Sequence, residues 1–176
     1  MGRLKIKPGT LLGMTHDAIE LLRAFYAQEH QQLYTYAVSI TSNRESAEDA
    51  VHQAFQHLLR RRSLPADLRP YVFRCVRNAA IDAMRRTRVR RDTIFTESAD
   101  NEPQAPNSAL GEDLAVLLEA LGSDERESIV LKIYNDLTFR EIAVLRGVPV
   151  ATAASWYRRG LEKMKTLMTA TPHERA

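Results

Sequence analysis

The segment from Tyr71 to Arg91 constrains the fold most, because its apolar and basic residues separate onto two faces at helical spacing. The apolar face comprises Val72, Phe73, Val76, Ala79, Ala80, Ala83 and Met84. Another arc carries Arg74, Arg77, Asn78, Arg85 and Arg88, with Asp82 as the one acid among them. We expect such a helix to dock through its apolar face and to present guanidinium groups on the other.

The basic arc has two interpretations. Arginine fits phosphate oxygens and base edges bidentately, as in a nucleic-acid-binding helix. A solvated charged face is the plainer interpretation. Charge favours the first, since residues 1–91 hold 16 Lys and Arg against 8 Asp and Glu, whereas residues 92–176 hold 9 against 14. This asymmetry indicates polyanion binding by the first half.

Two further amphipathic helices are predicted before this segment. Thr15 suits the N-cap of a helix that runs to about Thr41, and residues 42–45, SNRE, form a capping-box pattern that opens a second helix. The second helix has an apolar stripe of Ala47, Ala50, Val51, Ala54, Phe55 and Leu58. Three helices with short connections predict one helical domain over residues 15–91.

Residues 92–113 have the composition of a linker. They contain six acids, two prolines and no Lys or Arg, and they lack periodicity. An inert tether is one interpretation. The other is an acidic strand that mimics nucleic acid or keeps the chain out of it.

Residues 114–170 carry the pattern of a helix-turn-helix domain. Short helices are predicted over residues 114–121 and after Ser123, the latter with Ile129, Val130, Ile133 and Tyr134 on its buried side. Residues 138–141, TFRE, form a capping box for a helix that ends near Arg146, and Gly147 permits a tight turn. A last helix runs from Ala151 to about Met168, and its basic residues are Arg158, Arg159, Lys163 and Lys165. Without strand-like alternation, the fold class is all-α, in two small helical domains.

Several functions are excluded by what the sequence lacks. It has no phosphate-binding glycine loop, no metal-ligand motif and no arrangement of nucleophile, base and orienting group, so we expect neither an enzyme nor a cofactor. No apolar stretch approaches the roughly 20 residues that span a bilayer, so we expect no stable membrane insertion. Cys75 is the single cysteine, which predicts a reducing cytoplasm. Its Arg-rich helix is compatible with a lowered thiol pKa, although a plain small side chain is the commoner role.

Four stretches resemble bacterial RNA polymerase sigma factors of the extracytoplasmic-function (ECF) type. Residues 47–55, AEDAVHQAF, and 71–82, YVFRCVRNAAID, are similar to that group's AEDxVQExF and FRxxRNxxID helices. Residues 121–131 resemble its LPxxxRxVxxL segment, and residues 137–152, LTFREIAVLRGVPVAT, resemble LSYxEIAxxLGVPxGT. The resemblance covers about residues 20–168 in the family's order and spacing.

The resemblance implies a function and its residues. Members bind core RNA polymerase and promoter DNA; the first domain melts the −10 element, the helix-turn-helix reads the −35 element, and the linker passes near the RNA exit path. Matched by motif, Asp49, Gln53 and Phe55 fall on the polymerase-binding helix. The −10 contacts are Arg74, Arg77, Asn78 and Arg85, with Arg88 on the same arc. The −35 contacts are Ala151, Thr152, Ser155, Trp156, Arg158 and Arg159.

Three departures from the family pattern leave alternatives open. Gln53 stands where the family has a carboxylate, and Ala154 and Trp156 stand where relatives often carry Lys and Arg. The loop at residues 63–69 is short and lacks an aromatic residue to hold a flipped base. A stand-alone helix-turn-helix regulator that does not recruit polymerase is therefore the alternative function. A protein-interaction module held by a partner such as an anti-sigma factor is a third.

Overall fold

The computed structural model describes residues 15–93 and 112–170, and it divides into two units between residues 104 and 105. Every regular element within those two ranges is helical, which confirms the predicted all-α class. The acidic stretch at residues 94–111 lies outside the described residues.

Where the structure describes the N-terminal unit, it is a bundle of three helices that all pack on one another. They are α1 (His16–Thr41), α2 (Arg44–Leu59) and α3 (Leu68–Thr93). The predicted stripe of α2 is buried throughout: Ala47, Ala50, Val51, Ala54, Phe55 and Leu58. Among the described side chains of α3, the buried residues are Pro70, Val72, Phe73, Val76 and Ala80.

Capping side chains set the helix ends of this unit. Thr15 is the N-cap of α1 as predicted, and its Oγ1 accepts a hydrogen bond from the N–H of Ala18 at 3.4 Å. Helix α2 is capped by Asn43, not Ser42, because Asn43 Oδ1 accepts from the N–H of Ser46 at 2.8 Å. Ser42 instead ends α1 in the left-handed conformation, with φ 51°. The N-cap is thus one residue later than predicted, and the predicted capping box does not form.

A partly buried charge pair fixes the start of α3 against α1. The guanidinium of Arg69 lies 3.3 Å from the carboxylate of Glu29 and donates to the side-chain oxygen of Gln32 at 3.1 Å. It also stands 5.7 Å from the ring centroid of Phe73. Because Glu29 is buried, the pair orients α3 from its first turn.

The described part of the C-terminal unit, residues 112–170, contains four α-helices and one π-helical turn. In order they are α4 (Glu112–Glu119), α5 (Ser123–Ile129), the π turn (Val130–Tyr134), α6 (Phe139–Arg146) and α7 (Val150–Ala170). Helices α5 and α6 both pack on α7. The contact between α5 and α7 is close at Gly160, where an added Cβ would lie 2.7 Å from Cδ1 of Ile129.

The π turn corrects the predicted buried set after Ser123. Ile129 and Val130 are buried as expected, but Ile133 is 52% exposed and Tyr134 is half-buried. A π turn takes more residues than an α-helical turn, so it rotates the residues that follow onto a different face. Leu131, Asn135 and Leu137 point inward instead.

The predicted helix-turn-helix is confirmed in its local geometry. Thr138 Oγ1 accepts from the N–H of Glu141 at 3.2 Å, and Glu141 Oε2 accepts from the N–H of Thr138 at 2.7 Å. Gly147 ends α6 in the left-handed region, with φ 67°. The turn therefore requires a backbone conformation that costs other L-residues about 1 kcal/mol or more.

We expect Gly147→Ala to lower the free energy of unfolding of the C-terminal unit by about 1 kcal/mol, because alanine is strained at this φ. Gly147→Asn is the control and should lose less, since asparagine enters the left-handed region more readily. Trp156 is the only tryptophan and reports this unit by fluorescence during urea unfolding. Equal stability of Gly147→Ala and wild type would contradict the prediction.

Candidate nucleic-acid and polymerase interfaces

The basic arc of α3 lies on the opposite side of the helix from its buried residues. Arg74, Asn78 and Arg85 are exposed and Arg77 is half-buried, whereas the side chain of Arg88 lies outside the described residues. Met84, predicted on the apolar face, is 45% exposed. The four described residues of the predicted −10 set therefore form one solvent-facing surface, which we name the α3 basic face: Arg74, Arg77, Asn78 and Arg85.

Arg61, in the short loop between α2 and α3, contacts Tyr71 in the first turn of α3, at one end of the α3 basic face. Arg61 Nη1 donates a hydrogen bond to the hydroxyl of Tyr71 at 2.8 Å, and its guanidinium carbon lies 5.2 Å from the ring centroid. Sequence reasoning noted that the loop lacks an aromatic residue and missed that Tyr71 stands immediately beyond it. A half-buried tyrosine beside a cation is a surface on which a base can stack.

Cys75 lies one helical turn after Tyr71, and burial raises the pKa of its thiol. The Tyr71 hydroxyl and the nearby Arg61 and Arg74 guanidiniums act in the opposite direction, but burial is the largest effect. A thiol with a raised pKa is mostly protonated and is a weak nucleophile. This favours the interpretation of Cys75 as a plain small side chain.

The predicted polymerase-binding residues of α2 do not share one environment. Asp49 and Gln53 are exposed, and Gln53 Oε1 accepts from Arg86 of α3 at 3.4 Å. Phe55 is fully buried, and its ring packs edge-on against Tyr26 with centroids 4.9 Å apart. Because Phe55 offers no surface to a partner, we assign it to the core, where it positions α2.

The residues of α7 that were predicted to contact the −35 element differ in their exposure to solvent. Ala151, Arg158 and Arg159 are exposed, and Thr152, Ser155 and Trp156 are half-buried. The opposite side of α7 is held in the unit by Ala153 and Gly160, both of which are buried. All six residues of the predicted −35 set are thus at least partly accessible.

Trp156 packs within the unit on one of its faces. The guanidinium carbon of Arg146 lies 4.7 Å from the Trp156 ring centroid. The same guanidinium binds Asp124 at 2.6 Å and also pairs with Glu127. Arg146 therefore ties α5, α6 and α7 together, and Trp156 is partly committed to this packing.

Two basic residues of α7 share one carboxylate from α5. Glu125 Oε2 accepts from Lys163 Nζ at 2.7 Å and from the N–H of Gly122 at 3.3 Å, while Oε1 lies 3.5 Å from Nε of Arg159. The hydrogen bond from Lys163 is the largest effect that lowers the pKa of Glu125 below 4.5. Sequence reasoning missed this cluster, because its members lie 34 and 38 positions apart.

Residues 15–93 and 112–170 contain no helix long and apolar enough to cross a membrane. Across the same ranges, no group of three or more His, Cys, Asp or Glu residues is arranged to hold a metal ion.

Comparison with known families identifies both units. Residues 25–90 match Sigma-70 region 2, and residues 111–164 match Sigma-70, region 4. Together the two matches cover more than half of the chain and coincide with the two helical units. The fold and the two basic helices thus define a protein built from sigma-factor regions 2 and 4.

Three known sigma factors of similar sequence indicate which type of sigma factor this chain resembles. SigE of Mycolicibacterium smegmatis, an ECF RNA polymerase sigma factor, is 27% identical over 159 residues, which is 85% of this chain and 62% of SigE. CarQ of Myxococcus xanthus, an RNA polymerase sigma factor, is 29% identical over 161 residues, 86% of this chain and 90% of CarQ. RpoE of Cereibacter sphaeroides, also an ECF sigma factor, is 30% identical over 112 residues, 59% of this chain and 60% of RpoE.

The chain belongs to the ECF-type RNA polymerase sigma factors, a family of proteins that direct RNA polymerase to promoters and are not enzymes. Solved structures agree on the fold. The sigma factor RpoE of Bartonella quintana, in complex with the anti-sigma factor NepR, is similar over 85% of this chain and 98% of its own, with a TM-score of 0.65 and 22% identity. CnrH, in complex with the cytosolic domain of CnrY, is similar over 84% of this chain and 86% of its own, with a TM-score of 0.60 and 22% identity.

The lowered pKa of Glu125 gives a pH dependence to the stability of the C-terminal unit. Because its pKa is lower in the folded than in the unfolded chain, the ionised pairs stabilise the fold fully above about pH 5. That stability is lost as the pH falls through 4.5 toward the folded pKa. Urea unfolding is followed by Trp156 fluorescence. Between pH 6 and pH 3, the free energy of unfolding should fall less in Glu125→Gln than in wild type. Identical losses would contradict the prediction.

Proposed function

We propose that this chain binds core RNA polymerase, directs it to specific promoters and melts the −10 element. The observation that carries the proposal is α3, which buries one face in a region 2 bundle and exposes arginines on the other. A melted strand needs backbone charge contacts and base capture, and this surface offers both guanidiniums and an amide. The reaction requires no catalytic group of its own.

We assign the parts of this function to three segments of the chain. Residues 15–91 act as the region 2 domain, with Arg74, Arg77, Asn78, Arg85 and Arg88 at the −10 element. Residues 92–113 act as an acidic linker. Residues 114–170 act as the region 4 domain, with Ala151, Thr152, Ser155, Trp156, Arg158 and Arg159 at the −35 element.

The polymerase contact is assigned to the exposed face of α2 that carries Asp49 and Gln53. Partnership with RNA polymerase places the chain in the cytoplasm. The structure of RpoE from Bartonella quintana contains an anti-sigma factor, which supports an anti-sigma partner here as well.

A stand-alone helix-turn-helix regulator is the alternative function. Gln53 favours it, since this residue lacks the family's carboxylate and its side-chain oxygen already accepts a hydrogen bond from Arg86.

Transcription in vitro separates the two functions. We expect core RNA polymerase to start transcripts at defined promoters when the full-length chain is added, and not without it. As a control, a variant with Asp49→Lys and Gln53→Lys should support little initiation, although its added positive charge should let it bind DNA alone at least as tightly as wild type does. Binding to DNA without polymerase-dependent initiation would favour the stand-alone regulator.

We expect Arg74→Ala combined with Arg77→Ala to reduce open-complex formation roughly thirtyfold, because each lost contact is worth about 1 kcal/mol and the two together about 2 kcal/mol. Binding to core polymerase should be nearly unchanged, since these residues lie on α3 and the assigned polymerase surface lies on α2. The control removes two arginines elsewhere in the unit, Arg23→Ala with Arg44→Ala. Permanganate reactivity of the −10 thymines measures melting, and anisotropy measures polymerase binding. Equal loss of both would contradict the assignment.

A further inference from the structure

Glu125 of α5 faces α7 and pairs there with two cations, Arg159 and Lys163. Its side chain is only 10% exposed, whereas those of Arg159 and Lys163 are 51% and 54% exposed. Arg159 and Lys163 therefore contact a nearly buried carboxylate and are at the same time accessible to a ligand from solvent. Arg158, one residue earlier, is exposed, and no ion pair to it is found among the described residues.

The two cations, Lys163 and Arg159, contact Glu125 through different kinds of atom. Lys163 places its single charged group, Nζ, 2.7 Å from Glu125 Oε2, so its charge is largely neutralised within the unit. The closest contact of Arg159 to the carboxylate is made by Nε at 3.5 Å, and its guanidinium carries further donors on two terminal nitrogens. Those terminal nitrogens are the pair that binds a phosphate or a base edge bidentately.

Burial makes this arrangement persist when DNA arrives. If both cations left Glu125 for phosphates, a nearly buried carboxylate would remain without a compensating charge, which is costly. The carboxylate also accepts from the N–H of Gly122 at the start of α5, which fixes its position. Lys163 consequently stays paired, and Arg159 reaches DNA from a restrained position.

We propose that Glu125 is a specificity-determining residue of the −35 interface that acts by neutralising Lys163 and positioning Arg159. Non-specific DNA binding is set by the number of phosphates that cations neutralise. Because Glu125 neutralises Lys163, one cation fewer is available to neutralise phosphates, and binding to random DNA is weaker. Holding Arg159 in place lowers the ordering cost of its contact at the correct site. The inference rests on the proposed function, since it assigns a role within the region 4 surface.

A purely structural role is the competing explanation, because Glu125 also accepts a backbone hydrogen bond at the start of α5. Glu125→Gln keeps the size of the side chain and an acceptor oxygen while removing the charge. A structural role predicts a change in unfolding free energy alone. The proposed role predicts a change in DNA discrimination and in its salt dependence.

The test compares two measurements in wild type and Glu125→Gln. The full-length chain is titrated with a random-sequence duplex at several salt concentrations, and the holoenzyme with a promoter duplex or its −35-scrambled counterpart. We expect the salt slope to steepen by up to about one unit as Lys163 is released. We expect the promoter-to-scrambled affinity ratio to fall about threefold or more, because Arg159 loses its positioning at the correct site, whereas an added phosphate contact alone strengthens binding to both duplexes. A ratio equal to that of wild type overturns the proposal, whatever the slope.

Lys163→Gln tests the same claim without altering Glu125, and it decides the matter if Glu125→Gln fails to fold. Because Lys163 is already neutralised, its removal should leave the salt slope unchanged. Arg158→Gln is the matched control and should flatten the slope by up to about one unit. Equal flattening by both variants overturns the proposal. A wild-type holoenzyme that does not distinguish the two duplexes refutes the proposed function itself, whereas a discriminating wild type with unaltered variants refutes only the role of Glu125.

Discussion

The structure depends on one constraint, which is that each long helix must bury a single face to fold and can present only the other to a partner. In α3 the buried face is Val72, Phe73, Val76 and Ala80, and the α3 basic face is what remains. The Arg69–Glu29 pair orients the helix from its first turn, so the positions of the guanidiniums follow from core packing. A surface with several fixed cations is suited to a polyanion whose charges are themselves evenly spaced.

The two units use arginine differently. In the N-terminal unit the α3 basic face points to solvent, whereas Arg69 of the same helix pairs with the buried Glu29. The helices of this unit are held together mainly by apolar packing. In the C-terminal unit several cations are committed to the fold. Arg126 donates to the carbonyls of Leu118 and Glu119 at the end of α4, and Arg146 joins Asp124, Glu127 and Trp156. Reading double-stranded DNA needs a few placed contacts, whereas holding a melted strand needs a broad basic surface.

The parts of the fold that depend on local signals were predictable from sequence. Thr15, the Thr138–Glu141 capping box and Gly147 act within a few residues, and each stands where it was expected. The outward orientation of Ile133 was not predictable, since Ile133 lies within the π turn Val130–Tyr134, where the α-helical period of 3.6 residues does not hold. Phe55 belonged to both a predicted core stripe and a family motif, and burial decided for the core. The Glu125 cluster joins distant positions, which a local pattern does not reveal.

The most direct measurement of the central claim is DNA cleavage from two tethered positions in the holoenzyme at a promoter. Cys75 is the only cysteine, so a Cys75→Ala chain accepts one new cysteine at a time. An iron chelate that generates hydroxyl radicals is attached at Asp82→Cys on α3 or at Glu162→Cys on α7, both exposed positions. Cleavage around the −10 element from residue 82 and around the −35 element from residue 162 is the predicted result. Cleavage of the same region from both positions, or none from residue 82, would contradict it.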